Sequence, residues 1–227
     1  YAGLTNANLR SFGKRAFPAY DLAKADVVVG IGADFLSNWG SSTENTWQYA
    51  DRRRPENVTK DMPMSRHWQF EARMSLTGAN ADRRVAVRNS ELPSVVMGLP
   101  DAIAKSTGGN SIGAGKISVA ADAAIAQCAA ELLAAKGKSV VMCGSNDVST
   151  QVLVNSINSM LGNYGSTIDL QNATFYHQGD DGTMAQLVKD MNAGSIGAIL
   201  IANTNPAYSL PNAEEFKAGL KKVGTSI

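Results

Sequence analysis

Apolar residues along this chain gather in short runs that end abruptly in glycine, cysteine-glycine or asparagine. Three are nearly continuous: Asp26-Val27-Val28-Val29-Gly30-Ile31-Gly32, Ser139-Val140-Val141-Met142-Cys143-Gly144 and Gly197-Ala198-Ile199-Leu200-Ile201-Ala202-Asn203. Runs this short, without polar alternation, suit strands covered on both faces, as in a parallel sheet. His67-Trp68-Gln69-Phe70-Glu71 and Arg84-Val85-Ala86-Val87-Arg88 form a weaker pair, and the second alternates as a more exposed strand does. Helical stretches fall between them. Thr43 to Arg53 follows a Ser/Thr cap and stops at Pro55, and Val119 to Lys136 is Ala/Leu-rich and ends at Gly137. Gln151 to Leu161 stops at Gly162, and Met184 to Asn192 stops at Gly194. Strands alternating with helices predict an α/β fold with mostly parallel strands and right-handed crossovers.

The Gly/Ser-rich stretch from Ser106 to Gly115 is the natural break, dividing the chain into two Rossmann-like lobes, residues 1–108 and 109–227. Tyr1 already lies in patterned sequence, and Lys221-Lys222-Val223-Gly224 leads toward a further strand, so we expect an internal fragment of a longer chain. Ligands of such sheets collect at the carboxyl ends of strands. The loops after Gly32, Glu71, Gly144 and Ala202 are therefore the ones to watch.

Composition narrows the function classes. With 227 residues, 44% hydrophobic and 18% charged, the chain is ordinary for a globular protein and long enough to bury a core. A net charge of +1 argues against nucleic acid or a membrane surface as partner over the whole chain. All the arginines precede residue 100, and Arg52-Arg53-Arg54 is their densest run. Just before Pro55, at a helix C-terminus, three cations complement the dipole more simply than they form an anion-docking surface. No apolar run approaches transmembrane length, so direct membrane insertion is not expected. Cys128 and Cys143 fit no CxxC or zinc spacing and read as small buried residues.

The chemical motifs are weak. Gly30-Ile31-Gly32-Ala33-Asp34-Phe35 narrowly misses the dinucleotide fingerprint, because Phe35 stands where a third glycine should let helix and strand pack closely. Gly115-Lys116 resembles the end of a P-loop, but Asn110 replaces its first glycine and Ile117 its magnesium-binding hydroxyl. His67 and His177 sit in no metal-ligand spacing, and Asp180-Asp181 reads as a turn capping the helix at Met184. No nucleophile stands with its base, so we assign neither a catalytic residue nor a metal ligand.

Taken in order, the strand ends carry a resemblance. Gly32-Ala33-Asp34-Phe35 after its strand is similar to a "G-x-N-P" loop. Glu71-Ala72-Arg73 with Thr77-Gly78-Ala79-Asn80-Ala81-Asp82 is similar to "D-P-R … T-x-x-x-A-D". Gly144 with Leu161-Gly162-Asn163-Tyr164-Gly165, and Asn192-Ala193-Gly194 through Asn205-Pro206, complete the set. The chain resembles the molybdopterin oxidoreductases (the dimethyl sulfoxide reductase superfamily), over nearly its whole length. Met64-Ser65-Arg66-His67 and Glu71-Ala72-Arg73-Met74-Ser75-Leu76-Thr77-Gly78 bring it closest to one branch, the iron–sulfur subunit of alternative complex III, a quinol-oxidising respiratory complex.

The resemblance implies two lobes like the central domains of that superfamily. It nominates Gly32, Asp34, Glu71, Arg73, Gly144 and Asn205 as the positions where relatives hold a molybdopterin guanine dinucleotide. In the closest branch this region is expected to hold no such cofactor, the iron–sulfur clusters lying elsewhere in the parent chain. Asp34 and Phe35 in place of "N-P" fit that branch, an anionic and a bulky residue being poor company for a pyrophosphate, and the nominated residues read as vestigial. The implied partners are the rest of the parent chain and the other subunits of a membrane-attached complex on the periplasmic side. Two alternatives stand beside this reading. One is part of a catalytically active molybdopterin guanine dinucleotide-binding oxidoreductase, with its metal ligand outside the chain. The other is an unrelated nucleotide-binding α/β module.

Overall fold

The computed structural model describes residues 1–110, 119–175 and 177–227. They form two compact units, Tyr1–Gln178 and Gly179–Ile227. The larger unit opens with helix α1 (Ala2–Phe12) and strands β1 (Phe17–Tyr20) and β2 (Val27–Ile31). Helix α2 (Ser42–Asp51), strand β3 (Arg66–Glu71), the short helix α3 (Leu76–Ala79) and strand β4 (Arg83–Ala86) follow. Helices α4 (Leu92–Ser106) and α5 (Val119–Ala134), strand β5 (Ser139–Cys143), helix α6 (Val148–Met160) and strand β6 (Ile168–Thr174) complete it.

Four strands make a parallel sheet in the order β4-β3-β2-β5. Every residue of β2 and β5 is buried, as their unbroken apolar runs require, whereas β4 lies at the edge and is partly exposed. Alternate side chains feed two cores. Val29, Ile31, Trp68, Phe70 and Val141 meet Val95, Leu99, Ile125, Leu132 and Ile157 of α4, α5 and α6. Val28, Val140 and Met142 meet Leu4 of α1, Tyr49 of α2 and the aromatic loop residues Phe35 and Trp39. Strand β1 pairs with β6 in an antiparallel ribbon, so the unit is mixed α/β and not purely parallel.

Helices α3 and α6 start on side-chain caps, whereas α2 follows Ser41 without the capping bond expected from the sequence. Asp147 caps α6, its Oδ1 accepting from Thr150 N at 2.7 Å. Gly30 is explained by the sheet. It pairs with Gln69 in register, and a β-carbon there would collide with the Gln69 amide, so glycine makes room for a side chain folded over the strand.

The boundary expected between residues 108 and 109 is not where the described chain separates. Strand β5 pairs with β2, so residues on both sides of the Gly/Ser-rich stretch share one sheet, and the units part after Gln178. That stretch falls inside the connection from α4 to α5, and glycine content alone does not tell a crossover from a domain linker. Residues 111–118, with Gly115-Lys116 and Ile117, lie outside the described residues.

The smaller unit holds α7 (Asp181–Asn192), β7 (Ala198–Ile199), α8 (Pro206–Ser209), α9 (Ala213–Leu220) and β8 (Thr225–Ser226). Asp180 caps α7, accepting from Gly182 N and Thr183 Oγ1, as read from the sequence. Val188, Met191 and Phe216 form its core. Of the third apolar run only Ala198–Ile199 is strand, pairing in parallel with β8, and Leu200 is 73% exposed. With a single neighbour strand, this run is not buried on both faces as its composition suggested.

Candidate functional site

Strand β2 leads to β3 and β4 on one side of the sheet, and the chain returns to add β5 on the other. The topological switch point, where ligands of open α/β sheets sit, therefore lies between the carboxyl ends of β2 and β5. Gly32 and Gly144 meet there. Gly32 N donates to the Phe70 carbonyl at 2.8 Å and Gly144 N to the Ile31 carbonyl at 3.0 Å, and a β-carbon on Gly144 would collide with the Gly32 carbonyl. The two loops close on each other through backbone.

Asp34 faces α3. Its Oδ1 accepts from Thr77 N at 3.1 Å and Thr77 Oγ1 at 2.7 Å, while Thr77 Oγ1 accepts from Leu36 N at 3.0 Å. The Asp34 carbonyl meanwhile accepts from the backbones of Ser37, Asn38 and Trp39. Asp34 is thus a fastener between the β2 loop and α3. Phe35 does not narrow a ligand pocket as expected. It is fully buried, edge-on to Tyr49 with centroids 5.9 Å apart and 5.2 Å from His67, because the loop turns its side chain into the core.

Glu71, expected to face a ribose or guanine, is 4% exposed and committed inside the fold. It accepts from Ser75 Oγ at 2.6 Å, Ser75 N at 3.1 Å, Arg84 Nε at 2.6 Å and Gln69 Nε2 at 3.3 Å. Burial pushes its pKa up, but the bonds from Ser75, Arg84 and Gln69 outweigh that and hold the carboxyl below its ordinary value. Gly78 has no β-carbon because Glu71 occupies that space. Arg73 is exposed and pairs with no acidic side chain among the described residues.

The same face of β3 carries His67 and Gln69, both fully buried. Gln69 Nε2 donates to the Ala33 carbonyl at 3.2 Å. His67 Nδ1 lies 3.0 Å from Tyr49 Oη, which donates to the Asn80 carbonyl at 2.8 Å. Burial pushes the His67 pKa down to about 4, Gln69 working against it, so the ring is neutral at physiological pH. Two of the three arginines of the run are spent inside the fold nearby, and Arg54 stays exposed. Arg53 grips Asp82 with two nitrogens at 2.6 and 3.0 Å, Arg52 reaches Asp26 at 2.7 Å, and Arg54 lies 3.9 Å from Asp51.

Of the nominated residues, Gly32, Asp34, Glu71 and Gly144 share the carboxyl edge of the sheet, and Arg73 lies just beyond it. Asn205 belongs to the smaller unit, where its carbonyl accepts from Tyr208 and Ser209 and Pro206 opens α8. The sequence reading passed over Ser75, Arg84, Gln69 and Asp147. The spacing of Asp147 to Thr150 is a capping signal that could have revealed the last; the others answer to sheet neighbours that no local pattern marks.

Three carboxylates, Asp34, Glu71 and Asp147, thus stand along one edge. The loop donors that would meet an anion there are already spent: Leu36 N, Ser75 N, Thr77 N, Gly78 N and Thr150 N each donate to a side chain of the protein itself. Among the described residues no group of three or more His, Cys, Asp or Glu is placed to hold a metal ion, and no helix is long and apolar enough to cross a membrane. No family model matches the chain, and no curated protein matches it.

Proposed function

We propose that this chain is a structural lobe, holding no cofactor of its own, of an iron–sulfur-binding subunit in a respiratory electron-transfer complex. It resembles the molybdopterin oxidoreductases, and within them the iron–sulfur subunit of alternative complex III. On this reading Tyr1–Gln178 is one Rossmann-like lobe and Gly179–Ile227 belongs to a second. The partners are the remainder of the parent chain and the other subunits of a membrane-attached assembly on the periplasmic side.

One observation carries the reading. Four of the six residues at the cofactor positions of the resemblance are turned to fastening the lobe itself: Asp34 to Thr77, Glu71 to Ser75 and Arg84, Gly144 against Gly32. A pyrophosphate needs free N–H donors and little negative charge nearby. These residues do not fit one. A lobe whose catalytic-face loops are fastened to each other suits the task of holding neighbouring modules in fixed geometry.

Elemental analysis of the purified parent protein tests this. Iron and acid-labile sulfide in cluster stoichiometry, with neither molybdenum nor oxidised pterin released on denaturation, is the expected result. Molybdenum and pterin near one per chain would overturn it in favour of a working molybdenum oxidoreductase. The strand order β4-β3-β2-β5, with its single switch point, favours a nucleotide-binding module as the second reading. Saturable binding of ADP to the chain would support that instead.

A further inference from the structure

The two edges of the parallel sheet are treated differently. Along β5, Asn158 of α6 accepts from Val141 N at 3.1 Å and donates to the Val141 carbonyl at 2.8 Å, taking the place of a further strand. The Ser139 and Cys143 carbonyls on the same edge accept from Thr167 Oγ1 at 2.5 Å and Gln151 Nε2 at 2.8 Å. Strand β4 has no such cover. Val87 N donates to the Glu71 carbonyl at 3.1 Å, and Glu71 pairs in register with Ala86. Alternate residues of a parallel strand turn both backbone groups the same way, so Val85 and Val87 face β3 while Arg84 and Ala86 turn N–H and C=O outward. Among the described residues nothing bonds those outward groups. Arg83 and Arg88, exposed at the two ends of this edge, pair with no acidic side chain among the described residues. Glu91, the next acid along the chain, accepts from Arg88 N and not from its guanidinium.

We propose that β4 is a docking edge, taking an extended acidic segment of a partner protein as a further strand. The partner's backbone meets Arg84 and Ala86, and its carboxylates meet Arg83 and Arg88. Each part of that description has its own observation. Outward N–H and C=O groups in strand geometry select an extended chain, since a helix has satisfied its own backbone and cannot pair with them. Free guanidinium groups at both ends of the edge select carboxylates, which steer and orient the incoming strand. The same arginines exclude a second copy of this chain as the occupant of this edge. Two β4 strands laid side by side would bring arginine against arginine, which is how edge cations prevent self-pairing. The closed β5 edge, where side chains already take the strand's place, leaves β4 as the open side of the sheet. The proposal does not depend on the chain belonging to a respiratory complex.

The acetylated and amidated peptide Glu-Thr-Val-Glu-Val-Thr-Glu is a suitable probe, titrated into the chain while the backbone amides of Arg84 and Ala86 are followed by ¹H–¹⁵N correlation spectroscopy. Saturable shifts at both amides are expected, with a dissociation constant on the order of 1 mM, because a short flexible peptide must be ordered to bind. Replacing its glutamates by lysines should weaken binding at least about ten-fold. Ala86→Pro removes an outward N–H without touching a bond to β3, a place where an edge strand tolerates proline, and should weaken the acidic peptide at least about five-fold. The peptide comparison needs no altered protein, so misfolding of the variant does not decide the matter. Absence of a saturable shift at these amides up to the solubility limit of the peptide would overturn the proposal. Equal binding of the lysine peptide, or equal binding to a folded Ala86→Pro chain, would do so too.

Discussion

The Thr77 hydroxyl lies 2.7 Å from the Asp34 carboxylate and 3.0 Å from the amide nitrogen of Leu36, donating to the first and accepting from the second. Thr77 and the Leu36 amide are buried, so the Leu36 N–H has no water to fall back on, whereas Asp34 is only half-buried. Thr77→Val keeps the shape and removes both bonds, and should cost about 1–3 kcal/mol. Asp34→Asn keeps an acceptor in place and should cost less. Urea unfolding of the two variants gives the comparison; an Asp34→Asn loss equal to or larger than that of Thr77→Val would show that charge, and not the Thr77 bonds, holds the loop.

A second prediction concerns the backbone contact at the switch point. Gly144→Ala puts a methyl group against the Gly32 carbonyl, and that contact can be relieved only by parting β2 from β5. Overpacking against backbone should destabilise the chain by about 1–3 kcal/mol. Gly137→Ala makes a useful control, because a β-carbon at Gly137 meets only an ordinary contact with the Gly162 carbonyl at 3.9 Å, and the substitution fails only on its φ of 78°. Hydrogen exchange should quicken along β2 and β5 in Gly144→Ala but not in the control.

The third prediction follows from His67. The folded chain holds this ring at a pKa of about 4, against 6.5 when unfolded, so the unfolded chain takes up a proton more readily. The stability it contributes is complete above pH 6.5, is lost as the pH falls from 6.5 toward 4, and changes no further below that. The full loss is about 3 kcal/mol. Glu71 and Asp82 are held below their ordinary values despite burial that works to raise them, so their contributions disappear only further into acid. Acid destabilisation should therefore begin with His67. His67→Gln should flatten the slope of unfolding free energy between about pH 6.5 and pH 4.5; an unchanged slope would place its source elsewhere.

What the sequence disclosed, and what it hid, divides along physical lines. Strands β2 and β5 were legible because burial on both faces leaves an unbroken apolar run, and α5 and α6 because they end at glycines in the left-handed region, Gly137 and Gly162. Helix α4 was hidden by Pro93, Gly98 and Pro100, yet it forms because Val95, Val96, Leu99 and Ile103 bury against the sheet. Tertiary packing there overrides local preference. The nominated positions Gly32, Asp34, Glu71 and Gly144 were correctly placed at strand ends. Their roles were not legible, since Asp34 finds Thr77 and Glu71 finds Arg84 only once the crossovers are made. Phe35 shows the same limit: from spacing alone it sat in a loop, and only the fold turns it into the core.

The last prediction asks whether charge or geometry closes the carboxyl edge. Two of its carboxylates can be neutralised without removing their structural acceptors. Asp34→Asn retains an oxygen for Thr77, and Asp147→Asn retains a cap for α6, asparagine being as good an N-cap as aspartate. If repulsion alone kept anions out, this double variant should bind pyrophosphate. But Thr77 N, Thr150 N and Leu36 N stay bonded to side chains in the variant, and Gly32 N and Gly144 N to neighbouring carbonyls. Lowering the charge frees no donor, and an anion without donors gains little from the helix field alone. Neither the unaltered chain nor the double variant should therefore give saturable heat with pyrophosphate in calorimetry. Heat from the variant alone would make charge the barrier and the site a nucleotide site disabled by two residues. Heat from both would show that the loops open, and the structural-lobe reading would fail with them.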